Sequence, residues 1–120
     1  MPQIVLIDDD PLVRDSYARL LEADGYVAFC FASAEDFLDA APQDSIDCLI
    51  VDHRLPGRTG AELLQQLRAS RNRTPAIVLS GTVDESEQQL LRTIPDARLL
   101  CKPCHADELF ELVGAICQPG

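Results

Sequence analysis

Short unbroken runs of apolar residues recur five times along this 120-residue chain: Ile4-Val5-Leu6-Ile7, Val27-Ala28-Phe29-Cys30-Phe31, Cys48-Leu49-Ile50-Val51, Ala76-Ile77-Val78-Leu79 and Leu99-Leu100-Cys101. Each is too short for a helix and lacks the polar alternation of a half-solvated strand. They read as strands buried on both faces. Helical spacing fills the intervals. Val13, Tyr17, Leu20 and Leu21 share one helix face, as do Ala34, Phe37, Leu38 and Ala41, and then Leu63, Leu64 and Leu67 within 61–71. Leu90, Leu91 and Ile94 mark a fourth helix of weaker pattern, and Leu109, Leu112, Val113 and Ile116 a clear last one. Pro11 suits a first turn, Gly25 a helix end and Pro42 a stop. Ser33-Ala34-Glu35-Asp36 resembles a capping box, with Asp in place of the usual Glu or Gln.

Strands alternating with helices predict an α/β fold: a parallel sheet covered by helices on both faces, its crossovers right-handed. One domain over 1–120 is the expectation. There is no linker or low-complexity stretch, and the last helix runs almost to Gly120, which leaves no room for an output domain in these residues. Hydrophobic residues make up 47% of the chain, enough for a core, but Trp is absent, so that core must be aliphatic. The formal net charge of −10 argues against direct nucleic-acid binding, which needs clustered Lys and Arg. It suits a cationic partner, a metal included. The five cysteines are odd in number and three lie in apolar runs, so buried free thiols are expected rather than a disulfide framework. No signal peptide and no membrane-spanning run is evident, and a cytoplasmic location follows.

Chemistry gathers at the strand ends. The first run stops at Asp8-Asp9-Asp10-Pro11 and the third at Asp52, followed by His53-Arg54-Leu55-Pro56-Gly57. The fourth stops at Ser80-Gly81-Thr82 and the fifth at Lys102-Pro103, while the second carries nothing ionisable and is expected outermost. In open α/β sheets ligands bind beyond the carboxyl ends of the strands, so four of the five deliver a polar group where a site belongs. A carboxylate at the mouth of an apolar strand is costly unless something neutralises it. Clustered carboxylates repel by ~4 kcal/mol per pair at 4 Å and an effective dielectric of 20 unless a cation sits between them. An all-oxygen site of this kind suits Mg²⁺. A carboxylate beside Mg²⁺ and a lysine is a good phosphoryl acceptor, and the Ser80 hydroxyl is placed to donate to a phosphoryl oxygen.

The ordered set Ile7-Asp8-Asp9-Asp10-Pro11, Asp52-His53-Arg54-Leu55-Pro56 with Gly60, Ser80-Gly81 and Lys102-Pro103 resembles the receiver domain of bacterial two-component response regulators, over essentially the whole length. The resemblance implies a single (βα)5 doubly wound, flavodoxin-like sheet with strand order 2-1-3-4-5. It implies that Asp52 accepts a phosphoryl group from a histidine kinase or a histidine phosphotransfer protein. It implies Mg²⁺ ligated by Asp9, Asp52 and the backbone carbonyl of Arg54, with Asp8 acting through water. Lys102 would pair with the phosphoryl group through a cis Lys102–Pro103 peptide, and Ser80 would shift toward the phosphate as the switch. The face of the fourth helix, fifth strand and fifth helix would meet an output partner, and a homodimer through it is compatible. No enzymatic turnover beyond slow self-dephosphorylation is expected. The pattern departs from the family at three places. Leu99 replaces the usual Tyr or Phe three residues before the lysine. Arg54 stands where its side chain can look over the phosphate and alter its lifetime. Cys104 stands where Phe is common.

Three other readings compete. A pseudo-receiver would be a protein-interaction module without phosphorylation; no essential residue is missing, although Leu99 leaves the switching step in question. A thiol-disulfide oxidoreductase would use Cys101-Lys102-Pro103-Cys104, a C-x-x-C at a strand-to-helix junction, but Lys102 pointing to the site turns Cys101 away from it. An aspartyl-nucleophile phosphatase would use the Asp-x-Asp within Asp8-Asp9-Asp10, but Leu12 stands where that family carries Thr or Val. His53 and His105 match no zinc spacing.

Overall fold

The five apolar runs form one parallel sheet in the computed structural model, which describes residues 2–40, 46–55, 57–81, 85–101 and 106–117. In chain order the elements are β1 (Gln3–Ile7), α1 (Pro11–Ala23), β2 (Val27–Phe31), α2 (Ala34–Ala40), β3 (Cys48–Asp52), β4 (Arg54–Leu55), β5 (Arg58–Thr59), α3 (Gly60–Ala69), β6 (Ala76–Ser80), α4 (Glu85–Arg92), β7 (Ala97–Cys101) and α5 (Ala106–Cys117). The main sheet runs β2-β1-β3-β6-β7, the expected 2-1-3-4-5 order once the two short extra strands are set aside.

The strand residues alternate between two cores. Val5, Ile7, Leu49, Val51 and Val78 face α2, α3 and α4 through Phe37, Leu63, Leu64, Leu67 and Leu91. Ile4, Leu6, Cys48, Ile50, Ile77 and Leu79 face α1 and α5 through Leu21, Leu109 and Val113. Burying each such side chain contributes about 1.5–3 kcal/mol, which dominates anything the short helices gain from propensity. Helix α2 shows this best. Its seven residues are too few to be stable alone, and fully buried Phe37 fastens it, its ring edge-on to Phe31 with centroids 5.6 Å apart.

Two expectations need correction. Strand β2 is not buried on both faces: Phe29 is 43% accessible and Cys30 is exposed. It is an edge strand, so it lacks a neighbour whose helices would close over it. Second, Ile94 lies past the end of α4; it is buried in the turn that follows, not on the helix. The helix bounds also sharpen. Asp10 caps α1 by accepting from the Leu12 amide, with Pro11 at the first position. Helix α3 begins at Gly60 rather than Ala61, because Thr59 and Glu62 form a reciprocal capping box. At its other end Arg68 donates to the carbonyls of Asn72, Thr74 and Pro95, closing the loops beneath the sheet. No helix among the described residues is long and apolar enough to cross a membrane.

Candidate functional site

Strand register assembles the site. Ile7 pairs with Val51, and Asp52 pairs with Leu79. The residues that follow Ile7 and Val51, Asp8 and Asp52, therefore leave the same edge side by side on strands about 4.8 Å apart. The carboxylates of Asp8, Asp9 and Asp52 each offer an oxygen, and these oxygens all lie within 4.8 Å of one another. Asp8 is buried, Asp52 half-buried and Asp9 exposed, so the cluster opens from the sheet edge toward solvent.

The loop after β1 is held at several atoms. The Asp8 N–H donates to the Phe31 carbonyl at 3.1 Å, and Asp8 Oδ1 accepts from the Asp10 amide at 2.9 Å. Arg14 Nη1 donates to the Asp8 carbonyl oxygen at 2.7 Å. Asp10 is committed to the α1 cap, which leaves Asp8 and Asp9 as the candidate ligands of this loop.

The loop after β3 is a miniature ribbon that periodicity did not announce. Arg54 pairs with Thr59 and Leu55 with Arg58, antiparallel, and Gly57 takes φ +83° in the turn between them. The ribbon is anchored at both ends. The His53 N–H donates to the Leu79 carbonyl at 2.8 Å, and the Gly60 N–H to the His53 carbonyl at 2.9 Å. At the far end Arg58 pairs with Glu35 of α2 at 2.9 Å and also donates to Gln66 of α3. The Arg54 N–H donates to Asp52 Oδ1 at 3.3 Å, which orients the carboxylate, while the Arg54 side chain is exposed.

Ser80 ends β6 one residue beyond Leu79, the partner of Asp52, and is buried. Asp8, Asp9, Asp52 and Ser80 thus share the carboxyl edge of three adjacent strands. Arg54 lies in the loop beside them. Leu99 is half-buried on β7 opposite Val78 and packs on the α2–α4 side core. Lys102, the Lys102–Pro103 peptide and Cys104 lie outside the described residues, as do Pro56, Thr82 and His105. Cys48 is buried, and burial pushes its thiol far above the ordinary range. Arg14 is not among the residues expected at the site, and Gly60 was expected only as part of the motif that follows Asp52. The one sequence signal for Arg14 is a cation in the first turns of a helix, where the macrodipole disfavours it.

The chemistry follows from the spacing. At 4.8 Å two carboxylates repel by ~1 kcal/mol in water and ~3.5 kcal/mol at an effective dielectric of 20. Three converging carboxylates, one solvent-facing, form an all-oxygen donor set that fits a small hard cation keeping several waters.

Residues 4–114 match the model of the response regulator receiver domain. The chain belongs to that family. It is 34% identical over 110 residues to the transcriptional regulatory protein FixJ of Bradyrhizobium diazoefficiens, covering 92% of this chain and 54% of FixJ. It is 34% identical over 116 residues to the sensory/regulatory protein RpfC of Xanthomonas campestris pv. campestris, covering 93% of this chain and 16% of RpfC. The chain therefore spans about half the length of FixJ and much less of RpfC. Among solved structures, a CheY-like receiver domain protein from Methanospirillum hungatei superposes with a TM-score of 0.86 at 26% identity, covering 96% of this chain and 92% of that one. The response regulator TrrA of Thermotoga maritima, in complex with Mg(2+)-BeF, superposes with a TM-score of 0.83 at 25% identity, covering 97% and 99%.

Proposed function

We propose that this chain is a phosphoacceptor module that takes a phosphoryl group onto Asp52 from a histidine kinase or histidine phosphotransfer protein in the cytoplasm. The observation that carries this reading is the convergence of Asp8, Asp9 and Asp52 within 4.8 Å at the carboxyl edge of the sheet. An oxygen of Asp52 forms the new bond to phosphorus, and the bond from phosphorus to the donor imidazole nitrogen breaks. The Arg54 amide on Asp52 Oδ1 holds the carboxylate in one orientation for that attack. Asp9, Asp52 and the Arg54 carbonyl would hold Mg²⁺, with Asp8 through water, and the bound ion would neutralise charge on the phosphoryl oxygens. Lys102 and Ser80 would pair with the same oxygens, and movement of Ser80 would carry the signal to a partner face formed by α4, β7 and α5. The only intrinsic turnover in this reading is slow loss of the phosphoryl group to water. The TrrA structure, with Mg²⁺ and BeF on the same fold, supports the metal assignment.

The test is an intact-mass measurement after incubation with acetyl phosphate, with and without Mg²⁺. A Mg²⁺-dependent gain of one phosphoryl group that disappears in Asp52→Asn is expected. No adduct with any donor or kinase would favour an interaction module, and steady phosphate release from many esters would favour a phosphatase.

A further inference from the structure

We propose that Arg14 is a positioning residue for the carboxylate cluster: from α1 it holds the Asp8 carbonyl and so sets how the loop presents Asp8 and Asp9 to a divalent cation. The inference rests on the metal-binding reading above. Arg14 Nη1 lies 2.7 Å from the Asp8 carbonyl oxygen in a part-buried setting. Asp8 is held by its amide on Phe31 and by its carboxylate on the Asp10 amide, but its carbonyl is held by a side chain from another element. Because the peptide bond is planar, fixing the Asp8 carbonyl fixes the direction in which the chain leaves for Asp9. Asp9 is the exposed member of the cluster and has the least packing to direct it.

The placement has a cost that needs a reason. Arg14 is the fourth residue of α1, near the positive end of the helix dipole, where a cation is unfavourable. A guanidinium there is always charged and donates only. It binds the Asp8 carbonyl rather than a carboxylate, so this contact steadies the loop without occupying a carboxylate oxygen of the cluster. Asp10 closes the same turn from the other side, accepting the Arg14 amide on its own carbonyl at 3.0 Å.

Charge and position make opposite predictions, which makes the idea testable. Removing a positive charge near the cluster would by itself tighten binding of a dication. Loss of positioning would weaken it. Mg²⁺ is titrated calorimetrically into the full chain, wild type, Arg14→Met and Arg14→Lys, with thermal melts in the absence of metal as the control for folding. Arg14→Met is expected to weaken Mg²⁺ binding by roughly tenfold. Arg14→Lys, which keeps the charge and a donor, is expected to recover most of that loss and serves as the readout if Arg14→Met fails to fold. Binding in Arg14→Met equal to or tighter than wild type overturns the proposal, as does Arg14→Lys weakened as much as Arg14→Met. If wild type itself binds no Mg²⁺, the metal-binding reading fails and the positioning role falls with it.

Discussion

A Cβ added to Gly60 would lie 2.9 Å from the backbone oxygen of Asp52 and 3.1 Å from Cγ1 of Val51. The first residue of α3 therefore rests directly on the peptide that carries the central carboxylate, and the Gly60 N–H closes the contact onto His53. Backbone and core atoms block that space, so no flexible side chain can yield. Gly60→Ala is expected to destabilise the fold by about 1–3 kcal/mol in urea unfolding. It should also slow phosphoryl uptake at Asp52, because the strand end must shift to make room.

The carboxylate cluster is kept at a cost to stability. Replacing Asp52 by Asn removes one charge from a group whose oxygens lie within 4.8 Å. In metal-free buffer Asp52→Asn should be more stable than wild type by roughly 1 kcal/mol. Adding Mg²⁺ should raise the melting temperature of wild type more than that of the variant, since only binding to the folded state stabilises it. Equal melting curves without metal would show that the cluster is not strained.

Glu62 gives the α3 cap a pH signature. Hydrogen bonds from the Thr59 backbone and then from its side chain hold the Glu62 carboxyl below its ordinary value of 4.5. A lowered carboxyl contributes stability that is present above the unfolded value and is lost as pH falls through the folded one. The stability gap between wild type and Glu62→Gln should thus be present at neutral pH and vanish in acid below that range. Thr59→Ala, which removes the reciprocal partner, should cost about 1 kcal/mol at neutral pH.

Arg54 is exposed in the loop beside the acceptor, and its amide donates to Asp52 Oδ1. If it shields the acyl phosphate from water, Arg54→Ala should speed dephosphorylation by roughly threefold to tenfold, about 0.7–1.4 kcal/mol of barrier. An unchanged decay of the phosphorylated mass would remove Arg54 from the mechanism.

The described thiols should differ in reactivity. Cys48 is buried at the start of β3, and burial holds its thiol protonated; Cys30 sits exposed on the sheet edge. Brief alkylation of the native protein, mapped by mass, should label Cys30 and spare Cys48 until denaturant is added.

The sequence alone determined the five main strands, their burial pattern in the centre of the sheet, and the placement of Asp8, Asp9, Asp52 and Ser80 at strand ends. Hydrophobic period and turn residues are local properties, and each run carries its own copy of them. The capping box of α3 went unread, although Thr59 and Glu62 stand at the required spacing. What lay beyond the sequence was lateral. Pairing Ile7 with Val51 and Asp52 with Leu79 is what brings residues 44 apart in the chain within reach of one metal, and register depends on how crossovers and turns close. The edge place of β2 was expected from its lack of an ionisable residue, but its apolar run suggested burial on both faces, and only the fold shows Phe29 and Cys30 exposed there. The stretch from Asp52 to Gly60 was visible as a turn, but the tertiary structure made it a ribbon tied to α2 through Arg58 and Glu35. Likewise Gly60 could be seen as a residue free of a side chain, and only the approach of α3 to the Asp52 peptide shows why it must be one.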